Sequence, residues 1–186
     1  MKSMESLSDF QVIVRNNVML SNISSDIKIH ISYCNGLGIQ KMVNSDGLDA
    51  YLDSKYIDWI AIKAEEKCIN DDNQKIHRTP DVSKIMYMGT ANMLPIMAVD
   101  LMFHSSQRIY ICGNNLFLTN KPHAKDYVHQ PNMETIRNSF VVHNLFSQHC
   151  LLKQLFDNGL IKTDEELGNV LSISTLEYAE AMEKLY

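Results

Sequence analysis

The chain has 186 residues, 45% of them apolar and 21% charged, with a formal net charge of −5. That length and apolar share suit one domain with a substantial core, and an acidic balance without a basic cluster argues against a nucleic-acid surface. Four cysteines fall singly at 34, 68, 112 and 150, without zinc-ligand spacing, and read as reduced core thiols of a cytoplasmic protein. The first ten residues hold no apolar leader segment, and the longest apolar run is too short and too interrupted to span a bilayer.

Along the chain, Phe10–Val14 predicts a strand ended by Arg15-Asn16-Asn17. Paired asparagines there suit a turn, and equally a site that reads sugar or base hydroxyls. Ile27–Tyr33 alternates apolar residues with Lys28, His30 and Ser32, which predicts a strand with one more polar face and a solvated His30. The Asn35-Gly36-Leu37-Gly38 loop lacks the third glycine of a dinucleotide fingerprint. Ser45–Asp53 predicts a short helix, Tyr56–Ile62 a third strand, and Lys63–Arg78 an exposed, charged helix or loop.

Residues 89–115 carry the most organised pattern. Gly89 and Thr90 open an apolar run from Met93 to Phe103; polar residues interrupt it, and Ile109–Cys112 follows, stopping at Gly113-Asn114-Asn115. Thr90 or Asn92 suits a helix cap, and Pro95 is tolerated only in the first turn. A short apolar run bounded by turn signals suits a strand buried on both faces, Cys112 included. The order is therefore loop, helix, buried strand, polar turn. In an open α/β sheet, ligands bind at the carboxyl ends of strands and at the helix N-termini beside them. The Gly89–Asn92 loop, Asn114 and Asn115 are the candidates.

Leu116–Asn132 lacks periodicity and reads as a lid-like loop. Gln148–Asn158 has helical spacing and stops at Gly159. Thr163-Asp164-Glu165-Glu166 reads as a capping box that starts a further helix at Thr163. Ser172–Tyr186 predicts an amphipathic helix with its apolar stripe at 173, 176, 179, 182 and 185. Residues 145–186 thus form a C-terminal helical segment.

Three stretches together resemble the bacterial sialyltransferases of glycosyltransferase family 42. Asp9–Asn16 is similar to the family's D-F-D-V-x-R-x-N strand. Ala98–Phe117 is similar to its A-x-x-L-x-x-x-x-x-I-Y-L-x-G-x-D-F-Y helix, strand and turn. Phe140-Val141-Val142-His143 is similar to the segment ending in the family's catalytic histidine. The resemblance implies a single α/β domain over residues 1–186, Rossmann-like and GT-A-like, with a mostly parallel sheet and flanking helices. It implies a metal-independent enzyme without a cofactor. The donor would be a CMP-activated acidic sugar, with CMP-sialic acid leading and CMP-Kdo an alternative, and the acceptor a hydroxyl of a surface glycan.

On the same resemblance, Asn16 contacts the donor's nucleotide or sugar, and Thr90–Asn92 holds its carboxylate or phosphate. Asn115 stands where the family has an aspartate, and His143 is the general base, a role suited to a side chain that titrates near neutrality. Two departures stand out. The family's opening strand and G-x-G-P-S loop have no counterpart here, and Phe117 and Phe140 replace usual tyrosines, leaving Tyr127 to supply a hydroxyl. These departures keep a second reading open, a non-catalytic nucleotide-sugar-binding or scaffold remnant of the fold. Peripheral membrane contact through the C-terminal helix and homo-oligomer formation also stay open.

Overall fold

The computed structural model describes residues 12–16, 29–36, 39, 50, 57–64, 74–86, 89–104, 109–118 and 142–185. It is a mixed α/β chain that divides into two compact units, Met1–Asp81 with Ala124–Gln130 and Val82–His123 with Pro131–Tyr186. Tyr127, most of the expected lid and the short helix over 45–53 lie outside the described residues, apart from 50 and 116–118.

The first unit holds a four-stranded, all-parallel sheet in the order β1 (Val14–Asn16), β2 (Ile29–Cys34), β3 (Ile57–Ile62) and β4 (Ile76–Arg78). Strands buried on both faces read as continuous apolar runs, and β3 follows this over its last three residues: Ile60, Ala61 and Ile62 are buried, whereas Trp59 before them is half-exposed. The first strand lies later than its apolar run suggests. Val12 and Ile13 precede it, and Asn16 is its last residue, opposite Tyr33, rather than part of a following turn. His30 is half-buried, not simply solvated, because its Nδ1 accepts the Ile13 N–H at 3.0 Å. The Lys63–Arg78 expectation also needs correction. Its last three residues form β4, and Lys63 is only 8% exposed. Charge count misled there because a lysine can bury its long aliphatic stem against apolar surface.

The second unit opens with a 3-10 turn at Val82–Ile85, followed by α1 (Met93–His104). Among the described residues it then holds β5 (Ile109–Ile111), α2 (Leu145–Asp157), β6 (Ile161–Thr163), α3 (Glu165–Ser172) and α4 (Thr175–Leu185). Strands β5 and β6 pair in parallel, Ile109 opposite Ile161. The core gathers Ile109, Ile111, Leu145, Leu152, Ile161 and Leu167 with residues of every helix of this unit. Helix α1 is apolar nearly all round and is buried at Met93, Pro95, Ile96, Ala98 and Asp100, while Phe103 at its end is exposed; Pro95 falls in its first turn, as its missing N–H requires. Cys112 falls just past β5 and is exposed, as is Cys150, against the expectation of core thiols; Cys34 is buried.

Helix ends follow local chemistry. Helix α2 stops where Gly159 takes φ +68, with its N–H on Phe156 O and the Leu160 N–H on Leu155 O, both at 2.9 Å. This double bond pattern is the Schellman motif. Helix α3 starts one residue later than expected: Asp164, not Thr163, is the cap, its Oδ1 accepting the Leu167 N–H at 3.0 Å. A reciprocal capping box does occur one helix later. Ser174 Oγ accepts the Glu177 N–H at 3.2 Å, and Glu177 Oε2 accepts the Ser174 N–H at 2.7 Å. The Ser174 backbone N–H foremost, and the Ser174 hydroxyl after it, hold the Glu177 carboxyl below its ordinary range. The buried face of α4 is Tyr178 and Met182, whereas Leu176 of the expected stripe is 70% exposed. A spacing of three drifts around a 3.6-residue helix, so that stripe could not stay on one face. No described helix is long and apolar enough to cross a membrane.

Candidate functional site

The expected catalytic histidine meets the expected ligand loop inside the second unit. Gly89 has φ +79, and a Cβ there would lie 2.9 Å from Asn144 N and 3.1 Å from Val142 O. Only glycine suits that backbone and that approach, so the loop before α1 lies flat against the residues that start α2. The Thr90 N–H then donates to Val142 O at 3.0 Å, and the Thr90 hydroxyl donates to the same carbonyl at 3.3 Å. His143 Nδ1 sits 3.0 Å from Thr90 O and 3.0 Å from Thr90 Oγ1.

A carbonyl oxygen can only accept, so in the neutral ring the proton resides on Nδ1 and the basic lone pair on Nε2. Thr90 therefore selects the tautomer of His143 and sets the plane of its ring, as orienting groups do for histidines that accept protons. His143 is half-buried and Thr90 exposed, so this pair lies at the surface of the unit.

The two helix starts are tied together one layer deeper. Asn144 caps α2 by accepting the Ser147 N–H at 3.0 Å. One turn on, Gln148 is fully buried and its Oε1 accepts the Asn92 N–H at 3.0 Å. The Gln148 Nε2 group has no hydrogen-bond partner among the described residues. Asn92 thus joins the Thr90–His143 assembly through its backbone. Gln148 was not singled out from sequence; its only advance signal was a polar residue within the apolar spacing of α2.

Asn114 and Asn115 sit on the turn after β5 but act differently from expectation. The Leu118 N–H bonds Asn115 O at 2.9 Å, and the two residues between, Leu116 and Phe117, have φ of 48° and 63°. Positive φ at both central positions is the requirement of a type I′ turn, which favours asparagine and glycine rather than leucine and phenylalanine. Side chains hold this strained turn. Asn114 Oδ1 accepts the Leu116 N–H at 2.9 Å, and Asn115 Oδ1 accepts the Phe117 N–H at 3.0 Å. Asn115 Nδ2 reaches Glu166 Oε1 at 3.4 Å, and Tyr178 donates its hydroxyl to Leu116 O at 2.6 Å. Both asparagine oxygens are engaged in shaping the turn.

Tyr178 connects that turn to the start of α2. Its ring meets Phe146 edge-on at 6.2 Å and stacks on His149 at 4.4 Å. Phe146 lies three residues after His143, in the first turn of α2. His149 is fully buried. Its Nε2–H donates to Val170 O at 2.9 Å, and its Nδ1 accepts from the Thr175 hydroxyl at 3.1 Å. Burial, with a smaller contribution from the Lys153 charge, pushes its pKa down against the opposing Val170 bond. His149 is a core histidine. Asn16 belongs to the first unit, at the end of β1.

No protein-family model, curated protein or solved structure matches this chain.

Proposed function

We infer that the chain is a glycosyltransferase that moves an acidic sugar from a CMP-activated donor to a hydroxyl of a surface glycan, with His143 as general base. The observation that carries this reading is the pair of 3.0 Å contacts from His143 Nδ1 to Thr90. They leave the lone pair on Nε2, where it can take the proton of an acceptor hydroxyl as that oxygen attacks the anomeric carbon and the cytidine monophosphate departs. The nearby start of α1 offers the positive end of a helix to the anionic donor. The three family-like stretches supply the donor class. Parallel strands with flanking helices are compatible with a Rossmann-like, GT-A-like domain, and the cysteine pattern with a cytoplasmic site.

The test is donor hydrolysis and transfer by the wild type against His143→Ala. Loss of a positioned base lowers turnover by about 10² to 10⁴; unchanged turnover removes His143 from the chemistry. A second reading, a nucleotide-sugar-binding remnant without transfer, is favoured by one feature. The oxygens of Asn114 and Asn115 hold their own turn instead of facing a ligand. Calorimetric titration with CMP beside the transfer assay separates the two: binding without turnover selects the remnant.

A further inference from the structure

The contacts that fix the His143 ring lie at the surface. Thr90 and Val142 are both exposed, and the bonds from the Thr90 hydroxyl and to His143 Nδ1 are open to water. A hydrogen bond that water can replace does little by itself to hold a loop in one place. Gly89 permits the close approach of the loop, but permission is not a restraint.

The restraint comes from Gln148. Its backbone N–H donates to Asn144 O at 3.1 Å, so the helix itself sets its place relative to the start of α2. His143 lies directly before that start. The Gln148 side chain is buried, and its Oε1 accepts the Asn92 N–H at 3.0 Å. Only the oxygen end of the amide can meet an N–H, which fixes its orientation. Asn92 is the residue before α1 and comes two after Thr90. Removing the acceptor leaves a half-buried amide unanswered, which costs more than losing a contact that water replaces. The Ala91 N–H adds a longer tie, to Ser83 Oγ at 3.3 Å. Helix α2 thus carries both sides of the geometry: it starts at the His143 ring, and through Gln148 it grips the loop that bears Thr90.

We propose that Gln148 is a positioning residue for His143: it holds the Asn92 backbone, and so keeps Thr90 O where it retains the His143 proton on Nδ1. A histidine without such an orienting group is free to hold its proton on either nitrogen. A neutral amide suits a buried position that must accept one hydrogen bond without carrying a charge. The effect on transfer rests on the reading of His143 as general base; the effect on the tautomer does not.

The test reads the ring directly. In the full chain, the chemical shifts of the histidine ring nitrogens report which one carries the proton, and His143→Ala identifies the His143 signals. Spectra are taken at about pH 8, above the ordinary histidine pKa. Wild-type His143 is protonated on Nδ1. Gln148→Met keeps the length of the side chain and removes the acceptor, so Thr90 drifts and His143 shows both tautomers. Gln148→Glu keeps an oxygen at the same place and retains the wild-type tautomer. Ser83→Ala, which cuts the longer tie, changes the tautomer less than Gln148→Met. His149 keeps its proton on Nε2, against Val170 O, in every variant and so reports an intact core. A measurement on the wild type needs no variant to fold: the Asn92 N–H exchanges with solvent more slowly than the Thr90 N–H. In the transfer assay Gln148→Met lowers turnover by up to about a hundredfold, the effect of a misplaced base. A tautomer that shifts in Gln148→Met while turnover survives His143→Ala supports the positioning and overturns the base reading alone. The same His143 tautomer in wild type and Gln148→Met, or an Asn92 amide that exchanges as fast as that of Thr90, overturns the proposal.

Discussion

At the scale of the residue, two histidines six positions apart illustrate how environment assigns roles. His143 stands at a surface with its proton directed to Thr90 O. His149 is sealed between Val170, Thr175 and the Tyr178 ring. Burial depresses the His149 pKa below its ordinary value, so as pH falls through about 6.5 the unfolded chain takes a proton before the folded one does. Stability is then complete above that pH and declines below it, by up to about 1.4 kcal/mol per pH unit until the folded pKa is reached. Urea midpoints measured from pH 8 to pH 5 display this acid limb, and His149→Gln flattens it; parallel profiles for the two proteins would count against the assignment. Tyr178→Phe tests the hydroxyl on Leu116 O. It costs about 1 kcal/mol and loosens the strained turn at Leu116 and Phe117, read as faster amide exchange at Phe117 and Leu118. The sequence singled out His143 alone, and how deeply each of the two is buried was not visible in it, because periodicity places a side chain on a helix face and says nothing about what covers that face.

At the scale of the element, the joins are set by single side chains. Asp164 performs two tasks at once: Oδ1 caps α3 on Leu167 N, while Oδ2 accepts the Gly113 N–H at 2.8 Å beyond the end of β5. Its own N–H bonds Ile111 O at 3.1 Å. Asp164→Ala therefore uncaps a helix and releases a turn in one step, at a cost of about 1 to 2 kcal/mol, read from the denaturant midpoint. Asp164→Asn, which keeps an accepting oxygen, costs less. An equal loss in both variants would show that charge, not the accepting oxygen, holds this join. The capping-box pattern Thr163–Glu166 announced a helix start but missed its residue. Asp164 wins over Thr163 because Thr163 is still paired to β5 in the parallel ladder. The box that does form, Ser174 with Glu177, lay inside a stretch read as continuous helix. The break at Ile173 was hidden because its extended backbone leaves no mark in an apolar spacing.

At the scale of the whole molecule, each unit is held by its own apolar interior. Leu152 is fully buried in the second unit, so Leu152→Ala costs about 2 to 5 kcal/mol through lost burial and the cavity left behind. Chemical denaturation checks this, and a loss under about 1 kcal/mol would mean the site collapses freely. Sequence alone determined the α/β class, the main apolar strands, α1 with its early proline, the glycine stop of α2 and the loop–helix–strand–turn order around Thr90 and Asn115. These are local matters of periodicity and turn chemistry, in which each residue's own backbone preference decides. Only the tertiary structure decided that Thr90 fixes the His143 tautomer, that Asn114 and Asn115 brace a turn, and that Gln148 lies buried beneath Asn92. Those pairings depend on the register and close approach of backbones that no single stretch of the chain encodes.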